Sequence, residues 1–221
     1  HEHTTPMELP LTGIELDEQT IWTAYRNIIY QYHIEVDSFS VFRGKINEFS
    51  DETELADFEY FKNFHRAEKI DDTIYFATTN GLLAFHNTSK KFEQIISNID
   101  ITALTKNSGN GILWLGTNKG LGILTNKNEF KLLQSNSDKT NPLWQKEIVN
   151  LNEINGKVYV ATNLGLLVYD RQTNKFRNDN NTAVHLTTNK INATVPYEKG
   201  IIVGTDNKLI KLNYKNNRIE L

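Results

Sequence analysis

The sequence predicts an all-β fold, a β-propeller built from four-stranded antiparallel blades, of which five are visible. Three observations predict it. One arrangement of residues recurs five times, at spacings of 53, 39, 45 and 43 residues. Within each copy, short apolar runs are separated by turn signals such as "NSGNG", "TNKG" and "NKN". The second run is apolar on both alternating faces, the pattern of a strand buried on both sides. A sheet covered on both faces and repeated roughly every 40 residues is a propeller blade.

The register of the repeat is set by a small residue in the second run: Ala24, Ala77, Gly116, Ala161 and Gly204. Two positions earlier stand Trp22, Tyr75, Trp114, Tyr159 and Ile202. Fourteen or fifteen positions later stand Phe39, Phe92, Phe130, Phe176 and Ile219. Upstream, a pair spaced three apart recurs: Leu11/Ile14, Phe64/Ala67, Ile101/Leu104, Ile148/Leu151 and Ile191/Thr194. The blades so aligned span 11–42, 64–95, 101–132, 148–177 and 191–221. They lie in a repeat region of 11–221 that follows an N-terminal extension, 1–10.

The third copy justifies each element. "DITALTK", "ILWLG", "GLGIL" and "EFKLL" read as strands A to D. Trp114 and Gly116 lie two residues apart and point the same way. A large ring beside an absent side chain lets the next blade approach and interdigitate, and burying such a ring contributes about 1.5–3 kcal/mol. Thr117 and Gly120 bracket a tight B–C hairpin. Glycine supplies the positive φ such loops often need, and the threonine hydroxyl can bond the local backbone. Thr78/Gly81 and Thr162/Gly165 repeat the pair, and Thr205 keeps the threonine in the fifth copy. Their recurrence reads as scaffold rather than active site.

Composition is globular, with 38% hydrophobic and 23% charged residues in a chain of 221. A net charge of −3 gives no basic footprint, so nucleic acid is not an expected partner. Cysteine is absent, which excludes disulfides, Cys-ligated zinc and thiol nucleophiles. No run reaches the roughly 20 apolar residues of a membrane span, so no membrane insertion by this chain is expected. The opening "HEHTTPMELP" lacks the apolar run of a signal peptide. It reads as a mature N-terminus, a boundary of the expressed segment or a tag remnant.

The stretch "GILWLGTNKGLGIL" resembles the two-component regulator propeller repeat, a G-x-I/L-W-I/V-G-T-x-x-G-L run. "NPLWQKEIVNLNEINGKVYVATNLGLLVYD" is similar to the longer form: Asn141-Pro142-Leu143 matches its approach to strand A, and Asn155-Gly156 its A–B turn. The resemblance covers 11–221 and is strongest over 73–170. It implies an extracytoplasmic propeller of hybrid histidine kinase sensors or related envelope proteins, hence a periplasmic or cell-surface location. Propellers of this repeat have about seven blades. The five visible here are therefore expected to belong to a larger ring, completed by further blades or other domains. This sequence holds neither a transmembrane helix nor a kinase segment.

Candidate functional residues come from the irregular places. "SDETELADFEYFKNF" offers a capping box, Asp51 with Glu54, and helical spacing at Leu55, Phe58 and Phe61. A helical insertion over 50–63 is expected there, packed on the rim or docking a partner. In the first copy, "AYRN" replaces the T-x-x-G turn. Tyr25 and Arg26 could stack on and hydrogen-bond a sugar or an acidic group, or simply mark a degenerate blade. Trp144, in the long D–A connection, could be a carbohydrate platform or a plug between blades.

Support for chemistry is thin. His33, His65, His86 and His185 show no metal-ligand spacing, and no nucleophile elbow or phosphate loop occurs. No cofactor, metal or catalytic residue is expected. Three functions stand: a non-catalytic recognition module of a bacterial envelope sensor, binding oligosaccharide or peptide or relaying a signal to partner domains; a scaffold of an envelope or secretion assembly; and a propeller lyase or hydrolase.

Overall fold

The computed structural model describes residues 12–16, 19–25, 28–42, 63–107, 113–125, 127–177, 190–198, 200–213 and 219–220. The extension 1–10 and nearly all of the segment expected to be helical, 50–63, lie outside these residues. The described elements are all strands, and they form five four-stranded sheets. The first holds β1 (Thr12–Leu16), β2 (Thr20–Tyr25), β3 (Ile28–His33) and β4 (Ser38–Phe42). The second holds β5 (Phe64–Ile70), β6 (Thr73–Thr78), β7 (Gly81–His86) and β8 (Lys91–Ser97). The third holds β9 (Ile101–Lys106), β10 (Leu113–Thr117), β11 (Gly120–Leu124) and β12 (Phe130–Ser135). The fourth holds β13 (Ile148–Ile154), β14 (Lys157–Thr162), β15 (Gly165–Asp170) and β16 (Lys175–Phe176). The fifth holds β17 (Ile191–Tyr197), β18 (Gly200–Thr205), β19 (Leu209–Asn213) and β20 (Ile219–Glu220). In every sheet the strands lie side by side in chain order.

The chain forms two compact units, His1–Ile101 and Thr102–Leu221. The first contains sheets one and two. The second contains sheets three to five. Within each unit one rule of packing repeats. The face bearing the aromatic and the small residue, here called the leading face, packs on the opposite, trailing face of the next sheet. In the first unit, Trp22 and Ile29 of sheet one share a buried cluster with Phe64, Ala67, Ile74, Phe76, Leu83, Phe85 and Phe92 of sheet two. In the second unit, Ala103, Trp114 and Leu121 lie against Ile148, Leu151, Val158, Val160 and Tyr169. Tyr159, Ala161, Leu166 and Val168 lie in turn against Ile191, Ile201, Val203, Ile210 and Leu212. Alternation along the second and third strands of each sheet sorts their side chains onto the two faces.

The small residue has a specific job. A Cβ added to Gly116 would meet Ile148 Cγ2 at 2.5 Å and the Ala103 Cβ at 3.2 Å. The first residue of the next sheet thus occupies the space that a side chain at 116 would need.

The three-apart pairs at the start of each sheet run against simple strand periodicity, which would send residues i and i+3 to opposite faces. Their burial is explained by a bulge. Phe64 pairs with Thr78 but Arg66 with Ala77; Ile148 pairs with Thr162 but Asn150 with Ala161; Ile191 pairs with Thr205 but Ala193 with Gly204. One extra residue on the first strand shifts the phase, so Phe64/Ala67, Ile148/Leu151 and Ile191/Thr194 all reach the core. The backbone of β1 carries the same shift between Thr12 and Glu15.

Candidate functional site

The recurrent threonines close hairpins. Thr78 Oγ1 donates to the Gly81 carbonyl at 2.8 Å, Thr117 Oγ1 to Gly120 at 2.9 Å and Thr162 Oγ1 to Gly165 at 2.7 Å. Each hydroxyl also accepts the N–H two residues on, from Asn80, Lys119 and Leu164. Gly81, Gly120 and Gly165 have φ of 136°, 126° and 112°. A Cβ on Gly81 would fall 1.8 Å from the Ile96 carbonyl oxygen. Thr205 makes the matching bond to Lys208, at 3.1 Å, in a hairpin that carries no glycine there.

Trp144 sits on a loop, 136–147, that is tied to itself. Asp138 Oδ1 accepts from both the N–H and the hydroxyl of Thr140. These donors hold the Asp138 carboxyl below its usual pKa. Asn141 Oδ1 accepts the Leu143 N–H at 2.9 Å, and its amide donates to Gln134 Oε1 at 2.6 Å. The Asn141 carbonyl accepts the Trp144 N–H, and the Leu143 carbonyl that of Lys146. Lys146 Nζ donates to the Pro142 carbonyl, and partial burial lowers its pKa. The two loop residues divide the roles considered for Trp144. Leu143 is fully buried in the cluster around Trp114 and plugs the junction of sheets three and four. Trp144 is 40% exposed. Plugging is therefore the work of Leu143, and Trp144 is presented outward on a braced loop. A hydrophobic residue beside an aromatic gives the sequence little basis for telling the two apart.

Tyr25 ends β2, and Arg26 lies outside the described residues. Tyr25 and Trp144 belong to different compact units. His33 Nε2 lies 2.9 Å from Ser40 Oγ, His65 Nε2 3.1 Å from Asp100 Oδ1 and His86 Nε2 3.1 Å from Glu93 Oε2. Among the described residues, no group of three or more His, Cys, Asp or Glu is placed to hold a metal ion.

One polar cluster escaped the sequence reading. The Trp114 indole N–H donates to Glu153 Oε2 at 2.7 Å, from β10 to β13. The Glu153 side chain is 1% exposed. Arg171 Nη1 lies 3.6 Å from Glu153 Oε1 and donates to Asn107 Oδ1 at 3.1 Å. Among the described residues, the buried Asn107 Nδ2 has no hydrogen-bond partner. Burial raises the Glu153 pKa, opposed by the indole donor and by Arg171. Among the described residues the cluster contains one carboxylate, whereas glycoside hydrolysis ordinarily requires a pair. Its geometry is that of a lock between sheets. Bonds from Thr102 Oγ1 to the Ile148 carbonyl (2.6 Å) and from Asn150 Nδ2 to the Thr194 carbonyl (3.0 Å) extend that lock along the first strands.

No protein-family model matches the sequence, and no curated protein matches it. Solved structures do match its fold. The extracellular domain of BT4673 from B. thetaiotaomicron, assigned as a hybrid two-component system, aligns over 90% of this chain with a TM-score of 0.68 and 22% identity. That of BT3049 from the same organism, assigned likewise, aligns over 95% with a TM-score of 0.70 and 17% identity. The WD40 domain of Neurospora crassa Pan2 aligns over 96% with a TM-score of 0.66 and 12% identity. The fold is that of a β-propeller. The chain spans 26% and 29% of the two B. thetaiotaomicron chains.

Proposed function

We propose that this chain is a non-catalytic recognition module of a bacterial envelope sensor. It works on the periplasmic or outer side of the membrane and binds an oligosaccharide or peptide. The observation that carries the reading is the fold likeness, over 90% and 95% of the chain, to extracellular domains of two hybrid two-component systems. The Pan2 match marks the boundary of that support, because one fold serves unrelated functions. The site must therefore come from this chain's own residues. Trp144 offers an apolar ring face on a loop already ordered by its own hydrogen bonds, so little entropy is lost when a sugar ring stacks on it. Tyr25 and Arg26 form the second candidate contact.

The test is a thermal-shift panel of short oligosaccharides from polyuronides, β-glucans and sulfated glycans. A ligand at 100 times its Kd stabilises the native state by about 2.7 kcal/mol. Trp144→Ala should leave the unliganded Tm unchanged and abolish the shift. If every saccharide leaves Tm unmoved while a protein partner co-purifies, the scaffold reading takes its place.

A further inference from the structure

Three aromatic rings in line mark two of the covered junctions. In the first unit the Trp22 ring lies 5.3 Å from Phe85, and Phe85 lies 4.7 Å from Phe92. In the second, Trp114 lies 5.8 Å from Tyr169, and Tyr169 lies 5.4 Å from Phe176. The first ring comes from the leading face of one sheet, and the other two from the trailing face of the next. The strand register is the same in both: Phe85 stands opposite Phe92, and Tyr169 opposite Phe176.

The trailing face of sheet one carries the same two rings. Tyr32 stands opposite Phe39 across β3 and β4, with ring centroids 4.8 Å apart. Tyr32 also stands opposite Ile21, as Tyr169 stands opposite Val158. Tyr30 opposite Val41 extends the apolar strip on the same face. Among the described residues, no third ring lies on this pair. Phe39 is 58% exposed, whereas its counterpart Phe92 is 5% exposed. Val41 is exposed beside it. The opposite face of sheet one is already committed, through Trp22 and Ile29, to sheet two.

We propose that the trailing face of sheet one, centred on Tyr32, Phe39 and Val41, docks the leading face of a further blade. That blade carries Trp or Tyr two residues before Ala or Gly in its second strand. The occupant follows from the junctions within the chain, each of which is built from such a strand. A second copy is not the occupant: the leading face of sheet five, exposed at Leu209, presents Ile202 where the ring belongs. The proposal stands apart from the ligand reading, since it needs neither Trp144 nor any small molecule.

Two measurements test it. First, Phe39→Glu and Phe92→Glu are compared by thermal melting of the 221-residue chain. Phe39→Glu should shift Tm by less than about 2 °C, and Phe92→Glu should unfold the first unit. Equal loss from both would show that the face is already covered and would overturn the proposal. Second, residues 101–147, a blade with its own connection, replace residues 1–10 ahead of Leu11, in the phase they keep before Ile148. Hydroxyl-radical labelling of Phe39, read by mass spectrometry, should fall several-fold in the extended chain. It should return when the added copy carries Trp114→Ala. Unchanged labelling, or protection in the unextended chain that grows with its concentration, overturns the proposal.

Discussion

Gly116 and Gly204 hold the same place in sheets three and five, yet their surroundings differ completely. Gly116 stands opposite Leu121, and Gly204 opposite Leu209. Leu121 is fully buried, whereas Leu209 is 72% exposed. A Cβ on Gly116 would collide with Ile148, but a Cβ on Gly204 would meet nothing nearer than the Ala193 carbonyl oxygen, at 3.6 Å. The strands have the same form and the same register. The neighbour is what differs: sheet four covers the face of sheet three, and the corresponding face of sheet five is open. A blade's local sequence therefore supplies half an interface, and burial depends on what meets it.

The largest effect should come from truncating the two leucines. Leu121→Ala should cost about 2–5 kcal/mol, because it opens a cavity between two sheets. Leu209→Ala should stay within about 0.5 kcal/mol. Urea denaturation of both variants checks the pair, and similar losses would mean that the fifth sheet's face is covered in solution.

A smaller contrast should follow from Gly116→Val and Gly204→Val. Overpacking against Ile148 should destabilise the first variant by about 1–3 kcal/mol. The second should be close to neutral, since open space and an extended strand both accept a β-branched side chain. Comparable urea midpoints would remove the steric account of the small residue.

The smallest effect sharpens the comparison through pH. Glu153 locks Trp114 in the covered junction through the indole N–H, and the Ile202 side chain carries no such donor. A carboxyl whose folded pKa is raised contributes stability that is fully present below its unfolded pKa, about 4.3, and is lost as pH rises through the folded value. Glu153→Gln keeps an acceptor for the indole and loses that titration. The variant should therefore gain on the parent as pH rises through this window. A midpoint difference that stays constant with pH would show that burial does not govern the carboxyl.

Much of the fold was legible in the sequence because its signals are local. Alternation along β10 and the Thr-x-x-Gly hairpins depend on residues within a few positions of one another. The three-apart pairs were legible as a pattern, but the bulge that carries both members inward was not, since it is a property of two paired strands. The candidate site was less legible. Nothing local separates Leu143, which fills a junction, from Trp144, which faces outward. The polar lock joins Trp114 to Glu153 and Arg171 to Asn107, pairs 39 and 64 positions apart. No short-range pattern records such a meeting.

By itself, the sequence determined that this chain builds sheet after sheet to one plan, because strand alternation and turn chemistry act over a few bonds. Only the tertiary structure decided which faces are covered, which charge is buried and which aromatic looks outward. Those outcomes depend on the approach of one sheet to another, and the free energy of burial belongs to the pair of surfaces rather than to either strand.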